Sequence, residues 1–250
     1  MLPPISEQKR IAAILDKADA IRRKRQQAIK LADEFLRSVF LDMFGDPLTN
    51  PKGWDVAQLG DLITSGPTNG LYKPASEYGD GVRILRIDGF YNGFLVDEGV
   101  LKRVKVTESE ADRYGLKDRS IVINRVNSRE YLGKSAFISD LREVTVFESN
   151  MMNLCVDERL ANSRFLVEQL QTPFVKRQIL ACSKDAVNQS SINQQDVKSF
   201  LVVVPPINLQ NKFEKIAARF KSSLKTYSST DYENMKLFLS LSKKAFSGGF

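Results

Sequence analysis

The sequence predicts an α+β fold: one mainly β domain carrying short helices, flanked by two long helices that pair as an antiparallel coiled coil. Three observations lead there. The phrase Pro-Pro-Ile-x-x-Gln occurs twice, at Pro3 to Gln8 and at Pro205 to Gln210. A 3.5-residue apolar repeat follows the first occurrence. Between the two, short apolar runs alternate with Gly, Asn, Asp and Ser clusters, as in a chain of strands joined by turns.

Shifting the first copy by 202 positions places Pro3, Pro4, Ile5, Gln8 and Ile14 on Pro205, Pro206, Ile207, Gln210 and Ile216. Arg10 falls on Lys212 and Ile11 on Phe213. Self-similarity of this kind marks a repeated structural unit.

Residues 1–48 form the first unit. With Ser6 read as the N-cap, no Gly or Pro interrupts a helix until Gly45. Its seam is Ile11, Ile14, Ala18, Ile21, Arg25, Ala28, Ala32, Phe35 and Val39, apolar at every position but Arg25. That spacing calls for a helical partner, and the alanines let its axis come close. A helix of about 40 residues at about 1.5 Å each is a rod of roughly 60 Å, longer than one turn of DNA at about 34 Å. The basic run Arg22 to Arg25 reads as a solvated face, since Asp16, Asp19, Asp33 and Glu34 lie nearby.

Residues 49–204 form the β domain. Gly45-Asp46-Pro47 ends the helix and Asn50-Pro51-Lys52-Gly53 turns the chain. Strands are expected at Val82 to Ile87, Gly93 to Val96, Ser120 to Asn124, Lys134 to Ile138, Val144 to Phe147 and Met152 to Val156. Two short helices follow, about Ser163 to Gln171 and Pro173 to Cys182, the second with proline at its first position. Ser199 to Val204 is a strand that leads into the second Pro-Pro.

Residues 205–250 form the second long helix. Its seam is Phe213, Ile216, Phe220, Ser223, Tyr227, Thr230, Asn234, Leu237 and Leu241, apolar or aromatic at both ends and polar in the middle. Serine and threonine between 222 and 230 lower helix propensity there, so an irregularity is expected near Ser228 to Asp231. One helix enters the β domain and the other leaves it, which lets them lie antiparallel.

Composition narrows the chemistry. The chain has no histidine, which excludes Ser-His-Asp, Cys-His and HNH-like sites and the usual zinc sites. Neither a Walker A sequence nor a GxGxxG turn is present. Carboxylate chemistry needs no histidine and so stays open, although no pair of acids stands in a compelling context. A net charge of +7 favours an anionic partner. Cys155 and Cys182 read as free structural thiols. No run of 18 apolar residues and no apolar leader are seen, so the chain is expected in the cytoplasm, away from membranes.

Together, Pro-Pro-Ile-x-x-Gln, the long helix closing in Phe44-Gly45-Asp46-Pro47, and the β domain returning to a second Pro-Pro resemble the specificity subunit of type I restriction-modification enzymes. The likeness covers nearly the whole chain and is strongest in Leu2 to Pro47, Leu116 to Ile138 and Asn188 to Gln210. It implies a target-recognition domain at 49–204 between two spacer helices that set the distance between DNA half-sites. It also implies a subunit without chemistry of its own, partnered by double-stranded DNA, modification (methyltransferase) subunits and restriction (translocase and nuclease) subunits. S-adenosylmethionine, ATP and magnesium then belong to those partners. The family places another recognition domain before the first helix. With Met1 standing where that domain's last strand is expected, the chain reads as the second half of a subunit, a short gene product or a fragment. Two-site recognition then calls for a homodimer or a complementary half-subunit.

Three segments have the composition to read DNA, with cations for phosphates and amides for base edges. Ser65 to Lys73 offers Ser65, Asn69, Tyr72 and Lys73; it reads equally well as a plain surface turn. Asn124 to Lys134 offers Asn124, Arg125, Asn127, Ser128, Arg129, Tyr131 and Lys134. Ser183 to Asp196 offers Lys184, Asn188, Gln189, Ser190, Asn193 and Gln194, part of which caps a helix starting near Asn193. Arg83 and Arg86 flank a strand and read as structural or DNA-facing.

Two other function classes stand beside this one. A DNA-modifying enzyme would need a methyl-donor loop and an Asn-Pro-Pro-aromatic motif, and both Pro-Pro pairs lack the polar residue in front. A coiled-coil adaptor would use the β domain to bind protein. Salt-sensitive binding to random duplex DNA separates recognition from adaptor.

Overall fold

The computed structural model describes residues 4–219 apart from 92, 96, 97, 187 and 188. The described residues divide into two units, one of residues 4–39 with 215–219 and the other of residues 40–214. One helix, α1 (Ile5–Phe44), runs without a break through 40 residues. It starts one residue before Ser6, because the Gln8 N–H already bonds the Pro4 carbonyl at 3.0 Å; Ser6 is therefore inside the first turn and not its cap.

The stop signal works as expected. Gly45 takes φ +79°, and a Cβ there would lie 2.6 Å from the Pro51 ring. The turn that follows supplies donors to the carbonyls that a helix end leaves open. Lys52 Nζ donates to Asp42 O at 2.7 Å and Met43 O at 2.9 Å, and Trp54 Nε1 donates to Phe44 O at 2.9 Å.

In the first unit, the seam residues Ile14, Ile21 and Phe35 are 40%, 45% and 49% exposed, and Ala18 is half-buried. The side chains of Ile11 and Ala28 lie outside the described residues, as do Phe220, Leu237 and Leu241.

The second unit continues with β1 (Asp55–Gln58), a helical turn α2 (Leu59–Leu62), β2 (Ile63–Asn69), β3 (Tyr78–Leu85), β4 (Phe90–Tyr91), β5 (Phe94–Leu95) and β6 (Lys102–Val104). Then come α3 (Glu108–Tyr114), β7 (Ile121–Asn124), β8 (Val126–Asn127), β9 (Ser135–Phe137), β10 (Thr145–Phe147) and β11 (Met151–Val156). The last elements are α4 (Ser163–Leu170), α5 (Pro173–Cys182), β12 (Lys184–Ala186), β13 (Gln189–Ser191), α6 (Gln194–Ser199), β14 (Leu201–Val204) and α7 (207–219). The six strands expected between 82 and 156 all form, as do both short helices and the strand before the second Pro-Pro.

The central sheet is antiparallel in the order β2-β11-β7-β9. A second sheet orders β10-β3-β6, with β10 parallel to β3. β1 pairs with β14, tying the entry and exit of the domain together. The main core is Leu85, Phe90, Val122, Ala136, Ile138, Phe147 and Met151, all essentially solvent-free. β2 corrects the reading of Ser65 to Lys73 as a loop. Its pairing with β11 shifts register twice, which accommodates a Gly-Pro step that alternation alone would not score as a strand. Gly66 has φ +86°, and a Cβ there would stand 2.5 Å from the Asn153 carbonyl.

A cluster of four phenylalanines, Phe40, Phe44, Phe165 and Phe213, closes the base of the unit, with ring centroids 4.7–5.8 Å apart. It joins the end of α1, α4 and the start of α7. The repeated Gln has a role here. Gln210 is fully buried, accepts from Asn162 N–H at 2.8 Å and donates to Pro205 O at 2.6 Å. An amide of this kind ties the helix start to the backbone of its neighbour, and a buried amide left unpaired is costly. Beside it, Arg119 donates to Glu214 at 2.7 Å and to Glu158 at 2.7 Å, while Asn162 Nδ2 donates to Glu214 at 2.6 Å.

Candidate nucleic-acid interface

The three polar segments are far apart in sequence, and β-pairing brings them together. β8 follows directly on β7 in the second segment, and β13 in the third pairs with it: Ser190 stands opposite Asn127 and Ser191 opposite Val126. Arg125 is held by its backbone at this junction, its N–H donating to Asn150 O at 2.8 Å and its carbonyl accepting from Ile192 at 2.9 Å. In the first segment, Asn69 at the end of β2 is held opposite Met152 of β11. Asn193 then caps α6, accepting from the N–H groups of Gln195 and Asp196, while Asp196 reaches back to the Asn193 N–H at 2.7 Å.

The outcome is a solvent-open cavity of about 400 Å³ lined by Asn69, Arg125, Asn193, Gln194, Gln195 and Lys198. Two cations and four amides surround it. No carboxylate stands in the lining, so the cavity suits an anion or the acceptor-rich edge of a base. Arg125 Nη1 leans on Ser149 O at 3.3 Å.

Ser65 is exposed on β2 and Tyr72, 77% exposed, lies in the segment after it. Ser128, Tyr131, Lys184 and Gln189 are exposed as well. Asn127 is half-buried and accepts from the Ser128 N–H at 2.8 Å. Asn188 lies outside the described residues. Arg129 pairs with Asp185 at 3.0 Å, and Ser190, buried, donates to the same carboxylate at 2.6 Å.

Besides Ser190, three expected contact residues are turned inward. Asn124 is fully buried, because β7 is an inner strand of the central sheet. Lys73 is spent on Glu110 at 2.8 Å. Lys134 lies over the rings of Tyr91 at 3.8 Å and Phe90 at 4.6 Å and donates to Ile87 O at 3.1 Å. Burial holds its ammonium below the usual lysine range, with Asp88 opposing. Arg83 pairs with Glu98 and Glu143, and Arg86 with Glu148, so both serve the second sheet.

Sequence reasoning missed Gln195, Lys198 and Lys176. The capping pattern at Asn193 announced α6, and helical spacing then puts residues 194, 195 and 198 on neighbouring ridges. Lys176 had no such signal. Its Nζ donates to the carbonyls of Arg129 at 3.2 Å, Glu130 at 2.8 Å and Leu132 at 2.7 Å, knotting the second segment from α5. Burial pushes its pKa down, with Glu130 opposing. Among the described residues no group of His, Cys, Asp and Glu is arranged to hold a metal, and no helix is long and apolar enough to cross a membrane.

No family model matches the chain. The EcoKI specificity subunit of Escherichia coli K12, a type I restriction enzyme component, is 26% identical over 229 residues, covering 84% of this chain and 47% of the relative. The StySPI specificity subunit of Salmonella potsdam is 26% identical over 224 residues, with the same shares covered. Among solved structures, the type I restriction-modification S subunit from M. genitalium superposes with a TM-score of 0.60 at 16% identity, over 95% of this chain and 59% of that one. A chain from a type I R-M system solved for its complex assembly and conformational transition gives 0.52 at 19% identity, over 100% and 61%. The chain spans about half the length of the curated relatives it matches, and over that half it is similar in sequence to type I restriction enzyme specificity subunits and carries the S-subunit fold.

Proposed function

We propose that this chain recognises duplex DNA as the specificity subunit, or half-subunit, of a type I restriction-modification complex. The observation that carries the reading is the convergence of Asn69, Arg125, Asn193, Gln194, Gln195 and Lys198, from three distant segments, on one open cavity with no acid in its wall. A protein-binding adaptor has no need of such a lining. Cations there neutralise phosphates and fix register, and the amides address base edges. Likeness to named specificity subunits supports the same conclusion.

On this reading the chain does no chemistry. It brings DNA to modification subunits that methylate adenine with S-adenosylmethionine and to restriction subunits that use ATP and magnesium, all in the cytoplasm. The seam of α1 and its C-terminal counterpart pair as an antiparallel coiled coil, and a second copy or a complementary half supplies the second half-site.

The test is binding of the full chain, with its modification subunit, to random duplex DNA at two salt concentrations. Phosphate neutralisation makes affinity fall steeply as salt rises. Binding that is absent or indifferent to salt overturns the reading in favour of the adaptor. Mapping methylated adenines in cells that express both subunits then identifies the target.

A further inference from the structure

We propose that Asp185 is a specificity-determining residue of this face: a fixed carboxylate that holds Arg129 in the free protein and releases it to DNA phosphate only when the duplex is well seated. The inference rests on the DNA-binding reading above.

Asp185 is the one member of β12 whose side chain is shown engaged with the second segment, and both its oxygens are used. Oδ2 accepts from Arg129 Nη1 at 3.0 Å, and Oδ1 accepts from Ser190 Oγ at 2.6 Å. Ser190 stands directly opposite Asp185 in the β12–β13 ribbon and is buried. The carboxylate is therefore anchored. The backbone around Arg129 is anchored too, by the three carbonyls that Lys176 gathers. What can move is the arginine side chain, which is 61% exposed, against 53% for Asp185.

An ion pair this exposed is weak, because water screens it and two side chains must be held still. Phosphate is a stronger partner for a guanidinium. DNA that comes close enough will therefore take Arg129 from Asp185. The exchange leaves an anchored negative charge beside a polyanion, which is unfavourable unless a base edge offers a donor, as the cytosine amino group does. Asp196, the other acid in the third segment, has no such effect, since its carboxylate is spent on the Asn193 cap. Asp185 thus taxes every poorly seated duplex and discriminates by penalising the wrong partner.

The test compares the full chain with its modification subunit, as wild type, Asp185→Asn, Arg129→Ala and the double variant, on random duplex DNA across a salt series. Asparagine keeps the shape and the acceptor for Ser190, so the fold is retained; Asp185→Ser is the second variant should melting show otherwise. Asp185→Asn is expected to bind random DNA about two- to fivefold more tightly. Its log-log salt slope is expected to steepen by about 0.9, the value of one added phosphate contact. The steepening should vanish in the Arg129→Ala background. In cells, adenine methylation should spread to additional sequences. Wild-type affinity and slope in Asp185→Asn, a slope change that persists without Arg129, or an unchanged methylation pattern overturns the proposal while leaving DNA recognition intact. Failure of the wild type itself to bind DNA removes both.

Discussion

The ring of Phe213 meets the ring of Phe40 edge-on, with centroids 5.6 Å apart at 81°. These residues stand 173 positions apart in sequence, one at the end of α1 and one at the start of α7. Both are solvent-free. The point where the chain enters the β domain and the point where it leaves are thus welded by aromatic packing, with Phe44 and Phe165 completing the cluster.

Removing a ring from that cluster leaves a cavity that the helices around it cannot close. Phe213→Ala is expected to lower unfolding stability by about 3–5 kcal/mol, in the range of buried Phe truncations. Denaturant unfolding of the full chain measures it. A loss below about 1 kcal/mol would mean that the cluster is dispensable.

Glu214 gives the same joint a pH dependence. Burial raises its pKa, but hydrogen bonds from Arg119 and Asn162 and the nearby guanidinium charges outweigh it, so the folded value lies below the ordinary 4.5. A depressed carboxylate contributes stability that is complete above the unfolded pKa and is lost as pH falls through the folded one. The stability difference between wild type and Glu214→Gln should accordingly be full at neutral pH and shrink on acidification below 4.5. A difference independent of pH would contradict it.

Ile14 and Ile21, 40% and 45% exposed, lie on the seam proposed to pair with its C-terminal counterpart. On that reading Ile14→Asp and Ile21→Asp are expected to break helix pairing and subunit assembly while the β domain keeps its melting transition. Size-exclusion chromatography of the mixed subunits tests this. Normal assembly by both variants would show that the seam is not an interface.

Arg125→Ala is expected to weaken DNA binding by about 1–3 kcal/mol if the guanidinium reads a base edge, with the loss concentrated on particular sequences. Lys198→Ala is expected to weaken binding evenly across sequences and to reduce the salt slope by about 1. Unchanged binding in both variants would place the contact face elsewhere on the domain.

Much of this protein was legible in one dimension. A stretch free of Gly and Pro from Ile5 to Phe44, proline at the start of α5, and the Asn193 cap are local signals. Each depends on residues within a turn or two of one another, so α1, α5 and α6 needed no tertiary context. The repeated Pro-Pro-Ile-x-x-Gln likewise announced a second helix start. Short strands of the central sheet were readable from apolar runs bounded by turns.

Other features were settled only by chain packing. β2 is a strand because β11 pairs with it through two register shifts, a compensation that no alternation pattern carries. Asn124, Lys73 and Lys134 have the same side-chain chemistry as true surface residues. An inner strand buries the first, an acid 37 residues away captures the second, and two rings cover the third. Gln195, Lys198 and Lys176 act on segments brought to them by the β8–β13 pairing and by α5. By itself the sequence determined α1, α4, α5 and the apolar strands between residues 82 and 156, since those are questions of neighbouring residues. Which polar side chains reach solvent together depended on long-range pairing energies, and these exist only once the sheets have closed.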